Sequence, residues 1–173
     1  MGQTITADAK TEKEIKIRIG IAKSRFQELK IVLTNRRISQ ELRLRLVKCF
    51  VLSTFTYGCE TWTLNNNMEN KINAFEMWTL RKIANVKWTD RVTNDEVCRR
   101  LHVQRKLLSD IKQRKLAYFG HIKRHHSLRK ELLEGRVQGK RGRGRPQRRW
   151  EADVWTGMGL SDCIRAAAEQ DVW

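Results

Sequence analysis

The chain has 173 residues, of which 36 are lysine or arginine and 19 are aspartate or glutamate, so its net charge is +17. Its 40% hydrophobic content and six tryptophans exclude a wholly disordered tail, and no apolar run reaches the roughly 18 residues that a membrane span needs. Four cysteines without paired spacing are typical of a reduced intracellular protein. Residues 91–149 carry 19 basic and 5 acidic groups, whereas residues 150–173 carry 1 and 5, and this uneven charge favours nucleic-acid binding over mere solubility as the explanation. An anionic membrane surface is the weaker alternative, because no lipid anchor or basic amphipathic terminus supports it.

The first two predicted helices lie in the N-terminal third of the chain. Apolar residues recur from Ile15 to Leu33 at intervals of three and four, which places one apolar stripe along a helix. Ser39 is typical of a helix start, and the second helix is predicted over 40–55. Apolar residues occupy nearly all sides of this helix after Val47, so we expect it to be the buried central helix.

A third helix completes a predicted three-helix bundle. It covers about 68–86 and follows the turn signal Asn65–Asn67. A capping box, in which Thr93 accepts from the third amide and Glu96 reaches back, then starts a short helix. Three helices with short connections are typical of a compact bundle, so the fold class predicted is all-α.

A smaller helical region is predicted to follow the bundle. Helices are expected over 106–124 and 128–133, and two short ones over 149–158 and 161–170. A short strand is expected at residues 2–5, and strand content should otherwise be very low.

The residues that we call the basic strip, 135–149, hold seven cations and no carboxylate. Glycines break any helix there and Pro146 fixes one backbone angle, so a disordered basic loop is predicted. Arginine can bind phosphate oxygens in a bidentate manner, which makes nucleic acid the expected partner. The core of an AT-hook, Arg143-Gly144-Arg145-Pro146, leaves sequence-selective minor-groove binding open beside unspecific phosphate contact.

Several motifs recur in a characteristic order along the chain. They are Tyr57-Gly58-x-Glu60-x-Trp62, Phe75-Glu76-x-Trp78-x-x-Arg81, Trp88-x-Asp90-x-x-Thr93-Asn94-x-x-Val97, Phe119-Gly120-His121-x-x-Arg124, Glu134-Gly135-x-x-x-Gly139 and Arg149-Trp150-x-x-Asp153-Val154. At these separations the set closely resembles the C-terminal part of reverse transcriptases encoded by non-LTR (LINE-type) retrotransposons, nearest to RTE-like elements. The resemblance covers essentially the whole chain.

The resemblance implies a division of the chain and a role for each part. The implied segments are a palm remnant (1–9), a thumb-like helical bundle (10–88), a helical post-thumb region (89–134), the basic strip (135–149) and short C-terminal helices (150–173). In the family, the thumb tracks the template–primer duplex and the post-thumb segment holds RNA or DNA. The chain is therefore expected to be a nucleic-acid-binding fragment of an RNA-directed DNA polymerase.

Catalysis by this chain alone is not expected. Polymerase chemistry needs carboxylates that hold two metal ions, and the resemblance places the family's aspartate pair in the palm, upstream of Met1. The adjacent acidic pair Asp95-Glu96 is better explained by the capping box. We predict no cofactor and no catalytic residue.

The predicted contacts to RNA, DNA or an RNA–DNA hybrid are basic residues of the strip and of the preceding helix. They are Lys140, Arg141, Arg143, Arg145, Arg148, Arg149, Arg114, Lys115, His121 and Arg124. A nuclear location is expected from the basic cluster and the partner. The oligomeric state is left open.

Three alternatives stay open from the residues alone. Cys98 and His102, with His121 and His125, have the spacing of zinc ligands, although a structural role is favoured and no metal is predicted. The tryptophans could stack on bases, although core packing is the commoner role. As a whole, the chain could instead be a host DNA-binding or chromatin-associated protein derived from such an element, or a decayed remnant.

Overall fold

The computed structural model describes residues 11–135 and 149–153 of the chain, and every regular element within these ranges is helical. The all-α prediction is confirmed. The α-helices are α1 (Thr11–Glu28), α2 (Lys30–Leu33), α3 (Gln40–Leu46), α4 (Ser53–Phe55), α5 (Asn66–Ile83), α6 (Asn94–Arg100), α7 (Leu107–Arg124) and α8 (Leu128–Leu133). The expected strand near residue 2, residues 136–148 of the basic strip and the expected helix at 161–170 lie outside the described residues.

The chain divides into two compact units. The first consists of Met1–Cys59 and Leu64–Ser109, and the second of Glu60–Thr63 and Asp110–Trp173. The segment boundaries implied by the family resemblance stay a prediction.

Three helical rods form the first unit: α1, the path from α3 to α4, and α5. The predicted stripe of α1 is buried, with Ile15 and Phe26 fully shielded from solvent. The Phe26 ring packs edge-on against Trp78 of α5 at 5.2 Å, and Phe55 lies 4.7 Å from Phe75. Aromatic pairs at these separations add to the free energy gained from apolar burial. The apolar side of α1 thus packs in the bundle as its periodicity predicts.

The second rod differs from its prediction. A π-helical turn, Val47–Leu52, separates α3 from α4, and Val51 and Phe55 are buried while Phe50 is 54% exposed. The expectation of a helix buried on all sides is therefore wrong. A π turn has more than four residues per turn, so residues four apart align on one face and the intervening apolar residues face solvent.

Side-chain caps fix three helix starts where the sequence predicts them. Ser39 Oγ accepts from the Leu42 amide at 3.3 Å, and Asn65 Oδ1 accepts from the Met68 amide at 2.9 Å. Thr93 Oγ1 accepts from the Glu96 amide at 3.3 Å. These bonds satisfy amides that lack a partner inside the helix.

The second half of the predicted capping box takes a different form. The Glu96 carboxylate binds Arg100 Nε at 2.8 Å and Arg99 Nη2 at 2.6 Å instead of reaching back. Hydrogen bonds from Arg100 and then Arg99 lower the pKa of Glu96. Ion pairs one turn apart support this short helix.

Two buried charges fasten helix ends within the first unit. Glu76 of α5 is 7% exposed, and its Oε1 accepts from the backbone amides of Lys106 and Leu107, each at 3.0 Å. A negative charge at the start of α7 is favourable because the helix dipole is positive there. Arg43 Nη1 donates to the Ile83 carbonyl at 2.8 Å and so caps the end of α5. Both interactions depend on tertiary packing.

Candidate nucleic-acid interface

Lys115, a predicted phosphate contact, lies inside the second unit. It is 1% exposed, and its Nζ donates to the Trp62 carbonyl at 2.6 Å and lies 5.2 Å from the Trp150 ring. An ammonium group held by a buried carbonyl cannot reach a phosphate at the surface, so this residue is removed from the candidate contacts. Position 115 lies on the apolar side of α7. From the sequence alone, however, the charge of lysine favours a surface role.

Trp150, which follows the basic strip, is a packing anchor of the second unit. Its Nε1 donates to the Glu60 carbonyl at 2.7 Å, and its ring meets Tyr118 edge-on at 6.0 Å. It also packs against the buried Phe119. Trp62 is fully buried. The core role is therefore the one that the structure gives to both tryptophans.

Three of the predicted contacts are exposed on α7. Arg114 is 52% exposed, and its guanidinium lies 3.9 Å from a Glu60 carboxylate oxygen, a distance typical of a weak surface pair. His121 and Arg124 are also exposed. The spacing of seven between Arg114 and His121 puts them on one side of the helix. We call the two arginines, Arg114 and Arg124, the α7 cations.

Aromatic and basic neighbours extend this side of α7. The His121 ring stacks on Tyr118 at 6.5 Å and lies 4.5 Å from His125. Arg129 Nη1 donates to the Tyr118 hydroxyl at 3.4 Å. Arg129 is not among the predicted contacts, because the bond joins residues eleven positions apart and no periodicity within one helix indicates it.

The two residues that flank residues 136–148 lie close together. Gly135 and Arg149 line one cavity of about 370 Å³, with Leu133, Trp150 and Glu151. Arg149 is strongly exposed, with 83% of its side chain accessible, although one nitrogen lies 3.4 Å from Glu151. Through the contacts of Trp150 with Tyr118, this cavity adjoins the α7 side chains. The remaining predicted strip contacts, from Lys140 to Arg148, lie outside the described residues.

The zinc-like spacings do not build a metal centre in the part of the chain that the structure describes. No group of three or more histidine, cysteine, aspartate or glutamate side chains lies close enough to hold an ion there. Burial raises the pKa of the Cys98 thiol, which disfavours the thiolate that zinc requires. His102 has a left-handed backbone at φ 49° and ends the turn after α6.

Over residues 11–135 and 149–153, each helix is too short or too polar to cross a bilayer.

Comparison with known proteins finds a transposon-derived relative. The chain is 29% identical, over 127 residues, to an uncharacterized transposon-derived protein of Caenorhabditis elegans. This chain is similar to a transposon-derived protein. The similarity covers 72% of the chain and 45% of the relative, so the chain spans less than half of the relative's length. No protein-family model matches the chain, and no solved structure matches it.

Proposed function

We propose that the chain is the nucleic-acid-binding C-terminal part of a non-LTR (LINE-type, RTE-like) retrotransposon reverse transcriptase. The transposon-derived relative supports the origin, and the motif order supports the finer assignment. On this proposal the chain binds the phosphate backbone of RNA, DNA or an RNA–DNA hybrid without reading sequence. The polymerase and endonuclease chemistry belongs to other parts of the full-length protein.

One observation carries the binding proposal. Gly135 and Arg149, which flank residues 136–148, line the same cavity as Trp150, whose ring contacts Tyr118 of α7. A strip with seven cations and no carboxylate therefore starts and ends at a cavity whose Trp150 contacts α7, the helix that carries exposed Arg114 and His121. Release of counterions from a polyanion is the main source of affinity for such a surface, and it makes binding steeply dependent on salt.

The test uses the full chain and two variants with equal charge loss. The variant that we call the neutral-strip variant replaces four of the seven cations of the strip by glutamine, at Arg143, Arg145, Arg148 and Arg149. The control variant replaces four exposed cations of the first unit by glutamine at Lys13, Arg37, Arg45 and Lys48. Binding to an RNA–DNA hybrid, an A·T-rich duplex and a G·C-rich duplex is followed by fluorescence anisotropy at several salt concentrations.

We expect the neutral-strip variant to lose about 3–4 units of the logarithmic salt slope, at roughly 0.9 per phosphate contact. The control variant should lose much less. Equal slopes for the two variants would contradict the proposal. A clear preference of the wild-type chain for A·T-rich DNA over the hybrid would favour the host DNA-binding alternative, which uses Arg143 to Pro146.

The proposal that catalysis lies elsewhere has its own assay. Primer extension on an RNA template with Mg²⁺ and deoxynucleotides should give no incorporation with the isolated chain. Nucleotide addition above a no-protein control would overturn this part of the proposal.

A further inference from the structure

A groove in the first unit has a chemical composition that neither the basic strip nor the α7 cations share. It lies where α2, the end of α5 and residues 84–92 meet, and its volume is about 970 Å³. Five of its lining residues are cationic, and none of the described residues that line it is acidic. The cations are Lys30, Arg36, Arg81, Lys82 and Lys87. We call this cavity the α5 groove.

The wall of the α5 groove is partly apolar. Trp78, Val86 and Val92 contribute to it, and each is only partly buried. The Trp78 ring is held edge-on by Phe26 at 5.2 Å, and Lys23 Nζ lies 5.1 Å from the ring centre. Phosphate alone would not use an apolar wall, whereas a ligand that combines a planar ring with negative charge matches both parts.

Hydrogen bonds connect the segments that form the groove. Asn85, with a left-handed backbone at φ 55°, donates from Nδ2 to the Thr34 carbonyl at 3.1 Å. Arg81 donates from Nη2 to the Val92 carbonyl and, at 3.1 Å, to Asn94 Oδ1. These bonds tie both rims to α5. A site that is formed before binding loses less conformational entropy when the ligand arrives.

The cations of the α5 groove are available for a ligand. The side chains of Lys30, Arg36, Lys82 and Lys87 have no ion-pair partner among residues 11–135 and 149–153. Toward the described residues Arg81 donates from Nε and Nη2, so its Nη1 hydrogens can bind a phosphate oxygen. Five positive charges without a compensating carboxylate in the lining favour a polyanion.

We infer that the α5 groove binds an unpaired nucleotide segment, with a base against Trp78, Val86 and Val92 and the flanking phosphates on the cations. A base inside a duplex is stacked and paired, so its ring faces cannot reach an apolar wall, whereas a single strand exposes them. The inference rests on the proposed function, since it names a second, single-strand site for the same class of ligand.

The test measures binding of the neutral-strip variant, in which the α5 groove is intact, to a labelled twelve-nucleotide thymidine strand. A strand of equal length with abasic sites has the same phosphates and no bases. We expect the base-containing strand to bind roughly five- to 150-fold more tightly, the range for one base held by aromatic and apolar contacts. Val92→Asp should abolish this ratio, with the fold checked by circular dichroism.

Two pairs of lysine substitutions show whether binding depends on the groove itself or only on the net positive charge of the chain. Lys30→Gln with Lys82→Gln, added to the neutral-strip background, should lower the single-strand salt slope by about 1.4, at roughly 0.7 per contact. Lys13→Gln with Lys48→Gln removes the same charge from exposed positions that do not line the groove. We expect this control pair to change the slope by less than half as much.

Each other outcome overturns a defined claim. Equal binding of the abasic strand, or equal slopes for the two lysine pairs, would refute the groove proposal. Displacement of the strand by an oligoglutamate peptide of equal charge, at equal concentration, would instead make the groove an acidic-peptide site. Loss of all single-strand binding in the neutral-strip variant would refute the groove proposal while the proposed function stands. A wild-type chain that binds no nucleic acid would refute the proposed function itself.

Discussion

Lys115 and Arg114 are sequence neighbours with the same charge, and their environments predict opposite effects of truncation. Lys115 is buried against Trp62 and Trp150, whereas Arg114 is 52% exposed on α7. We predict that Lys115→Ala lowers stability and leaves the salt dependence of nucleic-acid binding unchanged. Arg114→Ala should leave stability nearly unchanged and should reduce the salt dependence of nucleic-acid binding.

The expected magnitude for Lys115→Ala follows from its contacts. The substitution removes three buried methylene groups, worth about 2.4 kcal/mol at roughly 0.8 kcal/mol each. It also removes a charge-assisted hydrogen bond to the Trp62 carbonyl, worth about 1.5–3 kcal/mol. Relief of the cost of burying an ammonium group offsets part of this loss. The free energy of unfolding should therefore fall by about 2–4 kcal/mol.

Arg114 is half exposed and its pair with Glu60 is long, so the effect of its truncation on stability should stay below about 1 kcal/mol. If it contacts a phosphate, the salt slope on the RNA–DNA hybrid should fall by about 0.9.

Urea unfolding followed by circular dichroism gives the free energies, and anisotropy titrations at four salt concentrations give the slopes. A Lys115→Ala protein with native stability and a reduced slope would refute the buried placement of this side chain.

Three further predictions concern the first unit. Glu76→Ala should lower the free energy of unfolding by about 2–4 kcal/mol, because two amides at the start of α7 lose their acceptor, while Glu76→Gln keeps an oxygen there and should cost less than half as much. Hydrogen bonds from Lys71 and then Lys16 lower the pKa of Glu12 to about 2, so its contribution to stability is complete above its ordinary pKa of 4.5 and is lost as the pH falls through about 2. In iodoacetamide labelling followed by peptide mass spectrometry, exposed Cys49 should react well before Cys98, whose thiol pKa is raised by burial.

Each of these predictions has an outcome that contradicts it. Equal unfolding free energies for Glu76→Ala and Glu76→Gln would show that the α7 amides do not depend on this carboxylate. For Glu12, the difference in stability between the wild type and Glu12→Gln should shrink from pH 5 to pH 2, and a constant difference would rule out the ion pair with Lys71. Labelling of Cys98 at the rate of Cys49 in the folded chain would contradict its partial burial.

Local signals explain why much of the helical layout is predictable. Apolar spacing fixes the buried side of α1, and a polar side chain before each of α3, α5 and α6 fixes where the helix begins. These features involve residues within about four positions of one another, so they can be read without knowing the fold. Predicted ends are less accurate: α5 closes at Ile83 instead of near residue 86.

The burial of the second rod could not be read in the same way. Its apolar residues are consistent with burial on every side, but Phe50 is exposed because the π turn rotates the sequence relative to α1 and α5. Hydrophobicity shows that a residue can be buried, and only the packing of neighbouring helices shows that it is.

The sequence by itself determined the helical class, three of the caps and the concentration of charge in one strip, because each depends on neighbouring residues or on composition alone. Tertiary structure alone decided which cations face solvent. It buried Lys115 against a carbonyl, left Arg114 exposed, and gathered Lys30 and Lys82 around one apolar groove. The charge of a residue can be read from the sequence. Whether that residue packs in the core or contacts a ligand depends on its surroundings, which form only when distant segments pack together.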